Sequence, residues 1–235
     1  MWYFTVPAAV VPSLVLMWYF HTRDKFPEPA KVIWATFGWG VFIVIPVLMV
    51  AVPLDGVSEA IANPYVKGFA RAFLEAAIPE ETFKMLVVLL YCARHSAFDE
   101  PMDGLVYGVA ASLGFATLEN ILYVSSGGLS VAVARAFTAV PGHAMLGAIM
   151  GFYIGQAQFN PEQRKSLLWR AWFIPVLFHG LYDFPLLALR EGVPMEVLMV
   201  GLALLVLAIE WRWAVQLARQ VRALQEAKVT LGDKA

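Results

Sequence analysis

Pro79-Glu80-Glu81-Thr82-Phe83-Lys84 stands at the centre of the apolar stretch 69–120, and its reading decides the fold. Two adjacent glutamates and a lysine sit inside a run that otherwise has the character of a membrane span. At the bilayer centre an ionised side chain costs roughly 2.5–3.5 kcal/mol on insertion scales, so such residues face a protein interior or a wet cavity and point to function. Further along, the same apolar background holds Glu119, His143, His179 and Asp183.

The composition agrees. The chain is 60% hydrophobic and 15% charged, where soluble domains are about 45–50% apolar and about 25% charged. The apolar excess falls into separate runs of about 20 residues, which predicts an all-α, polytopic membrane helical bundle and not the alternating ten-residue segments of a membrane barrel. No polar stretch is long enough to fold separately, so one transmembrane domain is expected over 1–215, with a cytoplasmic tail over 216–235. The net charge of −1 gives nucleic acid nothing to bind. Cys92 is the only cysteine, which excludes an intramolecular disulfide and a multi-cysteine metal site; it reads as a small buried apolar residue.

Seven spans are predicted, at about 2–20, 32–53, 66–91, 103–124, 131–159, 167–189 and 195–215. Ser125-Ser126-Gly127-Gly128 reads as a tight outer turn and Asn63-Pro64 as a second turn signal. No cation precedes the first apolar run, while Arg23 and Lys25 follow it, so the first span is expected to be uncleaved with its N-terminus outside. Arg94, Arg164, Lys165, Arg170, Arg212, Arg219, Arg222, Lys228 and Lys234 then fall inside with Arg23, Lys25 and Lys31. Lys67, Arg71, Arg135 and Arg190 fall outside. That asymmetry predicts an inner C-terminus. Trp and Tyr near span ends read as interfacial belts.

The polar residues have helical spacings. Glu80 and Lys84, four apart, share a helix face, and Glu81 is turned about 100° from them. One lysine cannot neutralise two glutamates, which argues against a purely structural ion pair. Pro79 predicts a kink that opens space beside the carboxylates. Phe115 and Glu119 share a face, and Asn120 either donates to a developing oxyanion or bonds another helix. His143 lies one turn before the small-residue face Gly147, Gly151, Gly155. His179 follows Pro175 by one turn and precedes Asp183 by one, so Asp183 either orients the imidazole or binds a metal itself. At 1.5 Å per residue, Glu80, His143 and His179 each fall roughly 18–20 Å from one end of their spans. One outward-opening cavity would collect them.

Glu80-Glu81-x-x-Lys84, Phe115-x-x-x-Glu119, His143-x-x-x-Gly147 and His179-x-x-x-Asp183 together resemble the motif set of the PrsW family of intramembrane proteases, relatives of the CAAX prenyl endopeptidases and bacteriocin-processing membrane proteins. The resemblance runs over about 27–185. Glu119 and Asp183 stand where the CAAX branch usually carries histidine and Asn or a small residue, which favours the PrsW branch. The resemblance implies a bacterial plasma-membrane endopeptidase that cuts a single-pass membrane protein, such as an anti-sigma factor, on its outer side. It implies either a zinc enzyme or water activated by glutamate without metal. In the zinc version Glu119, His143 and His179 are the ligands, with water in the open position, Asp183 is the alternative ligand or their support, and Glu80 is the base. In the metal-free version a histidine assists Glu80, and Asn120 or another histidine steadies the oxyanion. Glu81 is a support or second acid whose charge Lys84 holds. The rival expectations are a proton-coupled transporter using the same buried groups as a relay, and a haem protein with His143 and His179 as axial ligands. The Gly147–Gly155 face would pack within one chain or between two.

Overall fold

A computed structural model describes residues 2–230 and resolves them into nine α-helices with no strand among the described residues. These are α1 (Trp2–His21), α2 (Ala30–Phe42), α3 (Val44–Glu59), α4 (Pro64–Ala70), α5 (Ile78–Leu90), α6 (Pro101–Phe137), α7 (Ala139–Phe159), α8 (Arg164–Arg190) and α9 (Glu196–Thr230). Four apolar stretches are long enough to cross a membrane: Ala30–Glu59, Pro101–Phe159, Pro161–Arg190 and Glu196–Ala227. The second holds two rods. Helix α1 adds a shorter apolar rod, and α4 to α5 form a rod whose charges keep it from reading as a simple apolar span. The result is the polytopic helical bundle expected, in seven rods.

The antiparallel pair α6–α7 is the centre, with α1 and α2 packed on α6, and α8 and α9 on α7. Glycine sets how closely the pair approaches. A Cβ on Gly104 or Gly108 would collide with the carbonyls of Gly151 or Gly147, and one on Gly155 with that of Pro101. Backbone therefore meets backbone along the face read from Gly147, Gly151 and Gly155, and it does so within one chain. Membrane helices lack a hydrophobic drive to associate and depend on such close contact. Gly40 and Gly114 do the same between α2 and α6.

Two local features shape the site. Between α4 and α5 the chain forms a π-helical turn, Arg71–Ala77, in which the amide of Ile78 reaches back five residues to Phe73. Proline offers no amide and clashes with the carbonyl four residues before it. The widened turn ahead of Pro79 accommodates both defects, where the sequence predicted a simple kink. Gly180 of α8 receives the ring of Phe73 from this turn.

The second is a correction. The expected outer turn at 125–128 is helical through 127 and turns at Gly128, whose φ of 71° suits glycine. Residues 129–137 are helical again and fold back on α6, with Ala132 against Val124 and Ala9. The chain breaks once more at Thr138 before α7. Span five thus has two pieces.

The segment expected as a cytoplasmic tail continues the last helix. α9 runs unbroken through Thr230, and Leu217, Val221 and Gln225 are buried. Gln225 donates to Asp24 at 2.7 Å and to Glu100, tying α9 to the α1–α2 loop and the start of α6. Lys234 lies outside the described residues.

Two substitutions separate close packing from mere helicity. Gly151→Leu should prevent recovery of folded, monodisperse protein in detergent, because it drives α6 from α7. Gly38→Ala, with nothing within 4 Å of the new Cβ, should hold or raise the melting temperature, since alanine is favoured over glycine in a helix by about 1 kcal/mol. Melting followed by tryptophan fluorescence reads both.

Candidate active site

Four rods deliver the polar groups to one place. The first turn of α5 brings Glu80 and Glu81, α6 brings Glu119, α7 brings His143, and α8 brings His179 and Asp183. Glu80, Glu119, His143, His179 and Asp183 line a single cavity of about 380 Å³. Glu81 and Lys84, both 0% exposed, lie behind its wall.

Lys84 is the hub. Its ammonium donates to Glu81 Oε1 at 2.7 Å, to His143 Nδ1 at 3.0 Å and to Glu80 Oε2 at 3.1 Å. It also sits 4.4 Å from the centre of the Phe115 ring, a cation–π contact. Three donors thus meet three acceptors. An ammonium cannot accept, so Nδ1 of His143 accepts, and the ring hydrogen lies on Nε2, which donates to Glu119 Oε2 at 2.9 Å. The same Glu119 oxygen takes Arg135 Nη2 at 2.5 Å.

His179 is held from the other side. Its Nδ1 meets Glu81 Oε1 at 2.8 Å, which fixes the hydrogen on Nδ1 because the carboxylate only accepts. Nε2 faces the cavity, 3.2 Å from Asp183 Oδ2 and 3.9 Å from Glu80 Oε2. A lone pair on nitrogen and a carboxylate oxygen repel at 3.2 Å unless a proton or a metal ion bridges them.

Asn120 goes elsewhere. Its amide nitrogen donates to the Ala9 carbonyl at 2.9 Å and its oxygen accepts from Arg135 Nε at 2.8 Å. It is 0% exposed and off the cavity wall. Of the two roles read for it, the arrangement is that of a helix bond and a brace for Arg135. No oxyanion in the cavity would meet its amide in this arrangement.

Three cavity residues were not singled out in the sequence. Arg135 was assigned to the outer loop cations, yet the Gly128 turn returns it to Glu119, over the ring of Tyr123 at 4.1 Å. Tyr123 also lines the cavity. Glu210 of α9 lines it as well, is 1% exposed, and has an oxygen, Oε1, with no hydrogen-bond partner. An acid inside the predicted span 195–215 was the available signal for Glu210.

The donor set suits a zinc-like ion, but not at every point. Glu80, Glu81, His143 and His179 can each offer a ligand atom within 4.8 Å of the others. Lys84 already bonds three of those four residues, so their centre is held by an organic cation. The remaining cavity-facing edges each pair an imidazole nitrogen with a carboxylate oxygen: His143 with Glu119, and His179 with Asp183. Nitrogen and oxygen ligands of this kind are those zinc takes. The haem expectation fails on space, because the His143 and His179 rings stand edge to face with centres 5.4 Å apart. A porphyrin cannot be clasped between them.

Residues 28–209 match the family described as PrsW family intramembrane metalloprotease. A protein named Protease PrsW from Geobacillus kaustophilus is 41% identical over 84% of this chain and 86% of its own. One of the same name from Bacillus subtilis is 36% identical over 80% of this chain and 85% of its own. One from Clostridioides difficile is 31% identical over 88% and 80%. No solved structure matches the chain. The chain belongs to the PrsW family and is a multi-pass peptidase of the cell membrane, which sets the transporter expectation aside.

Lys84→Met should leave two buried carboxylates without their cation. Breaking a buried pair by removing one partner costs about 3–5 kcal/mol, so the variant should melt well below wild type. Adding Glu81→Gln should restore part of the loss. Equal melting of Lys84→Met and wild type would mean that Lys84 carries no such burden.

Proposed function

We propose that the chain is an intramembrane endopeptidase in which Glu80 activates the water that cuts a single-pass membrane protein on its outer side. The observation that carries this reading is the sorting of the two adjacent glutamates. Glu80 lines the cavity, whereas Glu81 lies behind it and is tied to Lys84 and His179. Only Glu80 can reach a substrate.

The roles follow from the contacts. Glu80 Oε2 takes a proton as the water oxygen attacks the scissile carbonyl carbon, then gives it to the departing amine as the C–N bond breaks. Lys84 keeps Glu80 ionised and aimed, since its ammonium holds the oxygen that must accept. Glu81 keeps the hydrogen of His179 on Nδ1, which turns Nε2 to the substrate. Arg135 neutralises Glu119 and so moderates the negative charge of the cavity. His179 Nε2, Glu119 and Asp183 would hold a zinc ion, His143 Nε2 would join them on releasing the hydrogen it gives to Glu119, and the ion would polarise the carbonyl as a Lewis acid. The substrate class, an anti-sigma-factor-like protein, and the outer position of the cut rest on the family resemblance and on the cation asymmetry of the loops.

The decisive comparison uses purified wild type beside Glu80→Gln on a candidate single-pass substrate, with metal read by mass spectrometry on the same samples. Glu80→Gln should insert and melt like wild type and lose cleavage by about 10²–10⁴-fold, the usual weight of a general base. Zinc near one per chain, falling in His143→Ala, supports the metal role; undiminished cleavage without metal assigns the chemistry to Glu80 and a histidine. Cleavage by Glu80→Gln at the wild-type rate would remove Glu80 from the mechanism.

A further inference from the structure

Glu210 is the one cavity acid that the roles above leave idle. Helix α9 begins at Glu196, the end expected to lie outside, and Glu210 stands at its fifteenth residue, deep in an apolar rod. It is 1% exposed, makes no hydrogen bond or ion pair with any described residue, and its Oε1 is buried without a partner. It lies against Gly142, where an added Cβ would stand 3.8 Å from Glu210 Oε2, one residue before His143. It also falls one residue beyond the family match, which ends at 209. Burying a polar group without a hydrogen bond costs free energy, so such a group in a folded protein calls for an explanation.

A peptidase buried in a membrane creates a complementary deficit. To expose a peptide bond it must unwind a helical substrate, and each amide freed there has no water to bond. A carboxylate oxygen without a partner, against Gly142 and in the same cavity as Glu80, His143 and His179, is an acceptor for one such amide. We propose that Glu210 binds the unwound substrate by accepting a backbone N–H next to the scissile bond. This rests on the peptidase reading of the cavity. The occupant is a peptide amide, so the contact is independent of substrate side chains, and both oxygens of a glutamate or the single oxygen of a glutamine can make it.

The test uses a synthetic single-pass peptide with a glycine-containing outer half, and versions in which one amide at a time is replaced by an ester, which lacks N–H. Wild type, Glu210→Gln and Glu210→Leu are compared in detergent. Glu210→Leu should melt at or above the wild-type temperature, because it removes an unpartnered acid, yet lose kcat/KM by tenfold or more. Glu210→Gln should stay within a few-fold of wild type. One ester position should cost wild type about tenfold and cost Glu210→Leu nothing further. An ester penalty that is the same in wild type and Glu210→Leu at every position overturns the proposal while leaving the peptidase intact. So does a Glu210→Leu protein that melts lower and cleaves normally. If wild type cleaves no peptide, the peptidase reading fails and this one with it.

Discussion

The site depends on one ammonium group in a dry bundle. Lys84 neutralises a pair of carboxylates that could not both be buried without it, and its third hydrogen sets the tautomer of His143. In a low-dielectric interior, unpaired charge is far costlier than at a surface. Removing the lysine therefore does more than delete a contact. It withdraws the counter-charge that lets Glu80 face the cavity as an acceptor and Glu81 hold His179. The order of function then follows from one residue's geometry: the glutamate four residues before Lys84 faces the cavity, and the one three residues before it is enclosed.

Holding four rods around that ammonium requires close approach, and the chain obtains it from glycine rather than from large apolar side chains. Gly104 and Gly108 on α6 meet Gly151 and Gly147 on α7 backbone to backbone. This brings His143 to the level of Glu119. The π-helical turn ahead of Pro79 does the corresponding work on α5. A regular helix through Arg71–Ala77 would rotate every residue after it relative to every residue before it. The extra residue in that turn lets Phe73 enter the space left by Gly180 while Glu80 and Glu81 face the bundle interior.

Much of this was legible because membrane burial makes charge conspicuous. Glu80, Glu81, Lys84, Glu119, His143, His179 and Asp183 stand out in apolar sequence, and helical spacing places each correctly on its own rod. Spacing says nothing about which rods meet. It left open whether Glu80 or Glu81 faces the substrate, and whether Asn120 points into the cavity or into a neighbouring helix. Those choices are set by contacts between residues 59 to 111 positions apart. Gly128 misled for a different reason. A pair of glycines after two serines has the composition of a hairpin turn, and nothing local says that the nine residues beyond it fold back against α6. Arg135 was consequently counted as a loop cation. Glu210 was visible by the rule that identified Glu80 but carried no companion at helical spacing.

The placement of Arg135 bears on why the cavity tolerates so many acids. Glu119 receives a proton-bearing nitrogen from His143 and a guanidinium from Arg135 on the same oxygen, and Asn120 braces the guanidinium from behind. Glu119 is thereby compensated without Lys84, which remains free for Glu80 and Glu81. Two cations serve separate carboxylates, each held by a different neighbour: Lys84 by the ring of Phe115, Arg135 by the ring of Tyr123. Among the described residues Asp183 is ion-paired with His179 alone, and Glu210 has no hydrogen-bond or ion-pair partner. The acids nearest the two aromatic-backed cations are those the chain has settled. The two that are not settled line the cavity between α8 and α9, the wall on which compensation is left to what enters.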